Sequence, residues 1–123
     1  MTDDLSYKAI GCAMKVYNTL GPGLLESTYE QVLVYELKKS GLQVQSQVPI
    51  DINYGELTIK DAYRADIIVN DELIIELKSV EEIKQVFYKQ LLTYLKLTNK
   101  RVGLLINFNT FDFKQGIKRI VNK

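Results

Sequence analysis

Two carboxylates and an ammonium interrupt the otherwise apolar stretch ADIIVNDELIIELKSV at residues 65–80: Asp66, Glu76 and Lys78. Burying any of them alone is costly. Together they have a chemical use. Carboxylate oxygens suit a hard divalent ion such as Mg²⁺. An ammonium beside the ion can hold a nucleophilic water or stabilise a phosphorane-like transition state. The plainer alternative is a structural ion cluster, with Arg64 and Lys78 neutralising Asp66 and Glu76 and no chemistry at all.

Whether the two acids meet depends on the turn between them. A three-residue loop at Asn70, Asp71 and Glu72 pairs 69 with 73, 67 with 75 and 66 with 76. Opposite residues share a face in an antiparallel ladder. Arg64, Asp66, Ile68, Ile74, Glu76 and Lys78 then lie on one face. Ala65, Ile67, Val69, Leu73, Ile75 and Leu77 form an entirely apolar face on the other. A two-residue loop would separate Asp66 from Glu76 and mix charge into the apolar side, which burial disfavours. The three-residue register puts the two Cβ atoms roughly 4.5–5.5 Å apart. Two such carboxylates repel unless a proton or a cation sits between them.

Composition narrows the chemistry further. The chain contains no histidine, which excludes Ser–His and Cys–His nucleophile pairs and every His-ligated metal site. With Cys12 as the single cysteine, zinc is disfavoured and no intrachain disulfide can form, which fits a reducing cytoplasm. Any metal is expected to be oxygen-liganded, Mg²⁺ or Mn²⁺. The 123 residues suffice for one domain, 1–123, and the net charge of +1 means that a nucleic-acid partner must be held by a local basic patch. No apolar run is long enough for a membrane span, and no signal pattern opens the sequence.

The elements that must position these groups follow from periodicity. Residues 4–19 are expected to be helical, with Ile10, Ala13, Met14 and Tyr17 at helical spacing and Asp3 or Asp4 capping the start. LGPGLLE breaks that helix, and a second runs from Leu24 to Ser40 with Gly41 as its stop. Residues 43–53 alternate, placing Val44, Ser46, Val48, Ile50 and Ile52 on one face, and Pro49 marks an edge or bulge. A turn at Tyr54–Gly55 leads to a short strand at 56–60. The hairpin of 62–69 and 73–79 follows, then a helix over 81–99, an apolar strand over 101–109 and a helical segment over 113–121. The expectation is one α/β domain with a central mixed sheet, including a parallel βαβ crossover from 73–79 to 101–109.

Asp66 followed by Glu76-Leu77-Lys78 at the end of an apolar strand resembles the signature of the PD-(D/E)xK nuclease superfamily. More narrowly, GPGLLESTYEQVL at 21–33 resembles the hallmark of the GxxExxY family, in Gly23, Glu26 and Tyr29. YRADIIV, IIELKSV, QLLTYLKLT and GLLINFN are similar to further segments of that family, so the resemblance covers nearly the whole chain. Ala65 stands where the superfamily's name has proline, a position without a metal ligand. The resemblance implies a restriction-endonuclease-like αβββαβ core and a Mg²⁺-dependent phosphodiesterase site; the leading expectation is a nuclease that cuts DNA more readily than RNA. It implies Asp66 and Glu76 as metal ligands, the Leu77 carbonyl as a third, and Lys78 as the group that positions or activates water. Glu26 would be the acid from the first core helix. Gln90 and Tyr94 resemble the Q-x-x-x-Y element of exonuclease-like members.

Spacing alone allows part of this arrangement. Glu26, Tyr29 and Glu30 can share a helical face, as can Gln90 and Tyr94. Simpler uses stand beside each. Glu26 suits a first-turn acid against the helix dipole. Tyr29 and Tyr94 suit core aromatics with bonded hydroxyls. Gln90 suits a solvated helix edge, and Arg64 suits either phosphate or an acidic neighbour. Lys84, Lys89, Lys96, Lys100, Arg101, Lys114, Lys118 and Arg119 could hold a nucleic-acid backbone or simply form a solvated face. A catalytically silent binding module of the same fold is the rival from another class. A symmetric homodimer that resolves branched DNA is the rival among enzymes.

Overall fold

The five strands lie across one sheet in chain order, and the computed structural model describes them within residues 2–123, with side chains from Asp4 onward. Helices α1 (Thr2–Leu20) and α2 (Glu26–Lys39) come first, followed by β1 (Val44–Tyr54), β2 (Leu57–Val69) and β3 (Leu73–Lys78). Helix α3 (Gln85–Leu97), β4 (Val102–Asn107), a 3-10 turn at Phe113–Gly116 and β5 (Ile117–Val121) complete the chain. Every neighbouring strand pair is antiparallel except β3 and β4, which run parallel across the α3 crossover. The run from α2 to β4 is the expected αβββαβ core. The Asp3 side chain lies outside the described residues, and Asp4 stands inside α1 and not before it.

The sheet is covered on both faces, which is why β3 and β4 read as near-continuous apolar runs. One core joins α1 and α2 to the sheet through Ala9, Val16, Tyr29, Leu33, Ile75 and Leu104, among others. The other lies under α3, where Leu91, Tyr94 and Leu95 meet Ala65, Ile74 and Leu105. Helix α3 can come close because β4 carries Gly103 there: a Cβ at that position would stand 3.0 Å from Leu91 Cδ1.

Three expectations are corrected. The C-terminal segment 113–121 is not helical but a 3-10 turn leading into β5, antiparallel to β4. Ile117 and Ile120 are three apart, which suits a helical stripe. In a strand the same spacing puts them on opposite faces. Here both faces are apolar: Ile117 packs on the α1–α2 core and Ile120 on the α3 core. The segments 56–60 and 62–69 are likewise one strand, β2, which continues through a bulge opposite Ile50 and Ile52. Asp61 takes up the irregularity with φ 52, its N–H donating to Asp51 Oδ1 at 2.8 Å.

The third correction matters most for the site. The alternation along β1 does not hold one face. Val44 packs on the α1–α2 core, whereas Val48 and Ile50 pack under α3. The ladder passes from Ser46↔Ile67 to Val48↔Ala65 without pairing Gln47 to Asp66, and Gln47 has φ 52. One left-handed residue therefore reverses the pleat, and Ala65 joins the α3 core instead of sharing a face with Ile67.

Gly116 gives a test of the C-terminal packing. A Cβ there would stand 2.5 Å from the Asn107 carbonyl oxygen, a backbone atom that cannot swing aside. Gly116→Ala is expected to cost about 1–3 kcal/mol, the scale of overpacking, read as a lower urea midpoint at unchanged slope. Gly103→Ala meets the Leu91 side chain at 3.0 Å, where a side chain can give more readily than backbone, and is expected to cost less.

Candidate active site

Beyond the Ile67↔Ile75 pair, β2 and β3 part. Side chains replace the missing ladder. The Asp66 backbone N–H donates to Glu76 Oε2 at 2.7 Å, and the Leu77 N–H donates to Asp66 Oδ2 at 2.9 Å. Each acid thus reaches across to the other's strand, and the three-residue turn at Asn70–Glu72 keeps them in register, with Ile68↔Ile74 and Val69↔Leu73 pairing behind them. Asn70 and Asp71 carry the positive φ angles that this turn demands.

The electrostatics are those of crowded negative charge. Glu76 is 6% exposed. Burial first, then the Asp66 charge, pushes its pKa up to about 8. Asp66 is also raised by burial and by Glu26, against the lowering effect of the Leu77 N–H and the Lys78 charge. Glu30, one turn beyond Glu26 on α2, is raised by burial and by Asp66, while Gln47 Nε2 donates to its Oε1 at 2.8 Å. A proton or a cation relieves this crowding.

Lys78 acts on both acids through its charge, which lowers the pKa of each. The ion pairs Lys15–Glu36 and Lys100–Asp71 lie outside this cluster. Lys78 Nζ instead lies 4.5 Å from the centre of the Phe87 ring. That face holds the ammonium near the acids without clamping it to one of them.

The other expected site residues divide. Glu26 reaches the end of β3, its Oε2 accepting from the Ser79 N–H at 3.3 Å, and Ser79 Oγ donates to the Leu24 carbonyl at 2.6 Å. Asn107 braces the same segment by bonding both the N–H and the carbonyl of Val80. Gln90 and Tyr94 line a groove of about 500 Å³ on the α3 face, together with Tyr63, Phe87, Lys89 and Thr93. Tyr94 is nearly buried, and burial and the Glu76 charge push its pKa up to about 12.

Tyr29 does not face this site. It is fully buried, stacks on Phe108 at 4.2 Å, and its hydroxyl joins the Gly21 carbonyl and the Leu24 N–H. It shapes the loop that delivers Glu26. Arg64 is exposed and lies between Tyr63 and Ala65, whose side chains are on the α3 side, so it leaves from the other face of the strand. Lys100 and Arg101 precede β4, at the sheet end opposite Glu76, and Lys100 Nζ bonds Asp71 Oδ1 at 3.0 Å. Of the basic residues considered, Lys89 borders the groove.

Glu30, Gln47, Ser79, Tyr63 and Phe87 complete the surroundings. Glu30 is signalled in sequence by its i+4 spacing from Glu26. Gln47 gives no such signal, because its role depends on the pleat reversal.

The donor set fits a hard divalent ion: facing carboxylates, no imidazole, and a lone thiol elsewhere at Cys12. Among the described residues, no three Asp, Glu, His or Cys side chains converge as a finished cage. An ion here would complete its shell with water, backbone carbonyl and phosphate, as Mg²⁺ commonly does. Among the described residues, no helix is long and apolar enough to cross a membrane.

No curated protein matches the chain. A family model described as the PD-(D/E)XK nuclease superfamily matches residues 3–120. Enzymes of that superfamily generally use divalent metal ions and act on nucleic acid. With the match running from α1 into β5, over an αβββαβ core that brings Asp66 to Glu76-Leu77-Lys78, this chain belongs to the PD-(D/E)XK nuclease superfamily.

Proposed function

We propose that this protein is a Mg²⁺-dependent nuclease that hydrolyses phosphodiester bonds, in DNA more readily than in RNA, with Mn²⁺ able to substitute. The observation that carries the reading is the reciprocal reach of Asp66 and Glu76 across the parted strands, with Lys78 held beside them. The two carboxylates and the Leu77 carbonyl would hold the ion, and Glu26 would supply a further acidic oxygen from α2. When bound, the ion lowers the pKa of a water and withdraws charge from the scissile phosphate, which makes a histidine base unnecessary.

The chain's own groups do the rest. Lys78, resting on Phe87, orients the attacking water and offsets the negative charge that grows on the phosphate oxygens. Water oxygen bonds to phosphorus as the ester P–O bond breaks; the attacking water gives up a proton to solvent, and the departing oxygen takes one from solvent. Tyr94 keeps its proton at neutral pH, so its hydroxyl can donate a hydrogen bond to substrate and does not act as a base. Asn107 and Ser79 hold the end of β3 in place. The preference for DNA rests on the likeness of Gln90 and Tyr94 to the exonuclease-like Q-x-x-x-Y element. The five-segment likeness to the GxxExxY family is the narrower placement.

A Mg²⁺ titration over labelled single-stranded, duplex and branched DNA, and over RNA, tests the reading. Expected is cleavage that rises with Mg²⁺, disappears with chelator and favours DNA. Binding without cleavage on all four substrates would identify a silent module. Cleavage confined to branched DNA, with a dimeric mass in solution, would identify a junction-resolving enzyme.

A further inference from the structure

The groove on the α3 face has features that phosphate recognition does not require. Tyr63 contributes an aromatic ring that is 39% exposed, set 5.5 Å from the Tyr94 ring at an angle of 50°. Val86 adds an exposed apolar wall. The Gln90 side chain bonds the Tyr94 hydroxyl, which leaves the rest of its amide's donor and acceptor capacity to the groove, and Lys89 adds an ammonium at the border. Phe87 faces two ways: it borders the groove, and its ring carries Lys78 Nζ. The groove therefore begins where the acidic site ends.

We propose that this groove takes one unpaired nucleobase of the substrate strand, stacked on Tyr63 and read along its edge by Gln90. The nucleotide concerned would be next to the scissile phosphate at Lys78. A flat aromatic ring beside an amide fits a base, and the volume of about 500 Å³ lies within the range of small-ligand sites. A base stacked in a duplex cannot enter such a groove, so the substrate must present that nucleotide single-stranded, at a frayed end or flipped out. This names the substrate class within the nuclease reading, and the position beside the scissile phosphate rests on that reading. The base-binding claim itself does not need cleavage.

Fluorescence anisotropy in EDTA tests it with the full chain. Three labelled probes serve: a single-stranded DNA decamer, the same decamer carrying abasic sites, and its blunt duplex. The single strand is expected to bind about tenfold more tightly than the other two, the scale of one stacked base. Tyr63→Ala is expected to bring it down to the abasic level, and Tyr63→Phe to keep the preference, with both variants checked for native circular dichroism. Equal affinity for the single strand and its abasic form, binding to none of the probes, or an unchanged preference in Tyr63→Ala would each overturn the proposal. If wild-type protein binds in the expected order yet cuts nothing in Mg²⁺, the nuclease reading fails and the base groove stands.

Discussion

Asp66→Asn is expected to give a folded protein whose Mg²⁺-dependent DNA cleavage falls by about 10³-fold or more, the scale of losing a preorganised charge-stabilising group. The substitution isolates charge from structure. Asparagine keeps an oxygen that can accept the Leu77 N–H, so the parted strands remain tied. It removes the negative charge that, with Glu76, would hold the cation. Asp66→Ala is a poorer test, because it orphans that N–H and costs about 1–3 kcal/mol of stability as well. Specific activity beside the melting temperature separates the two effects. An Asp66→Asn protein within about tenfold of wild type, on the same scale, would remove Asp66 from the chemistry.

Glu76→Gln is expected to remove most of the loss of stability that the metal-free protein suffers as pH rises. The folded pKa of Glu76, about 8, lies above its ordinary value of 4.5. The folded state therefore binds this proton more tightly than the unfolded chain does. The resulting stability is complete below about pH 4.5 and is lost as pH rises through about 8. Asp66 is shifted in the same direction. The Glu76 contribution at stake is on the order of 5 kcal/mol, spread over that window. Glutamine has no proton to lose and still offers an oxygen to the Asp66 N–H. Urea unfolding in EDTA should find the two proteins alike near pH 5 and the variant more stable at pH 8.5. Mg²⁺ added at pH 8.5 should stabilise wild type and leave Glu76→Gln nearly unmoved, because only a charged Glu76 completes the site. Parallel profiles across this range would mean that Glu76 is not held near the edge of ionisation.

The hairpin was legible because its two faces differ so sharply in polarity. Only a three-residue turn keeps Ile67, Val69, Leu73 and Ile75 together, and that turn carries Asp66 to Glu76. The parallel crossover could be read from the length of the helix between two apolar strands. The C-terminal strand could not. A pair of isoleucines three apart serves a one-sided helix and a two-sided strand equally well, and the choice falls to β4, whose edge β5 covers. The pleat reversal at Gln47 left no trace either, because glutamine does not advertise a left-handed backbone as glycine would. That reversal takes Arg64 off the α3 face and brings Gln47 to Glu30. Tyr29 belongs to the hallmark segment, yet it acts from inside the core: its hydroxyl fixes the Gly21–Leu24 loop and so aims Glu26.

The most direct measurement is the anomalous difference map of a crystal soaked in Mn²⁺. The expected result is a single strong peak between the Asp66 and Glu76 carboxylates, with the Leu77 carbonyl in its shell. No peak there at saturating Mn²⁺, or a peak held by other residues, would contradict the claim that these two acids share a cation.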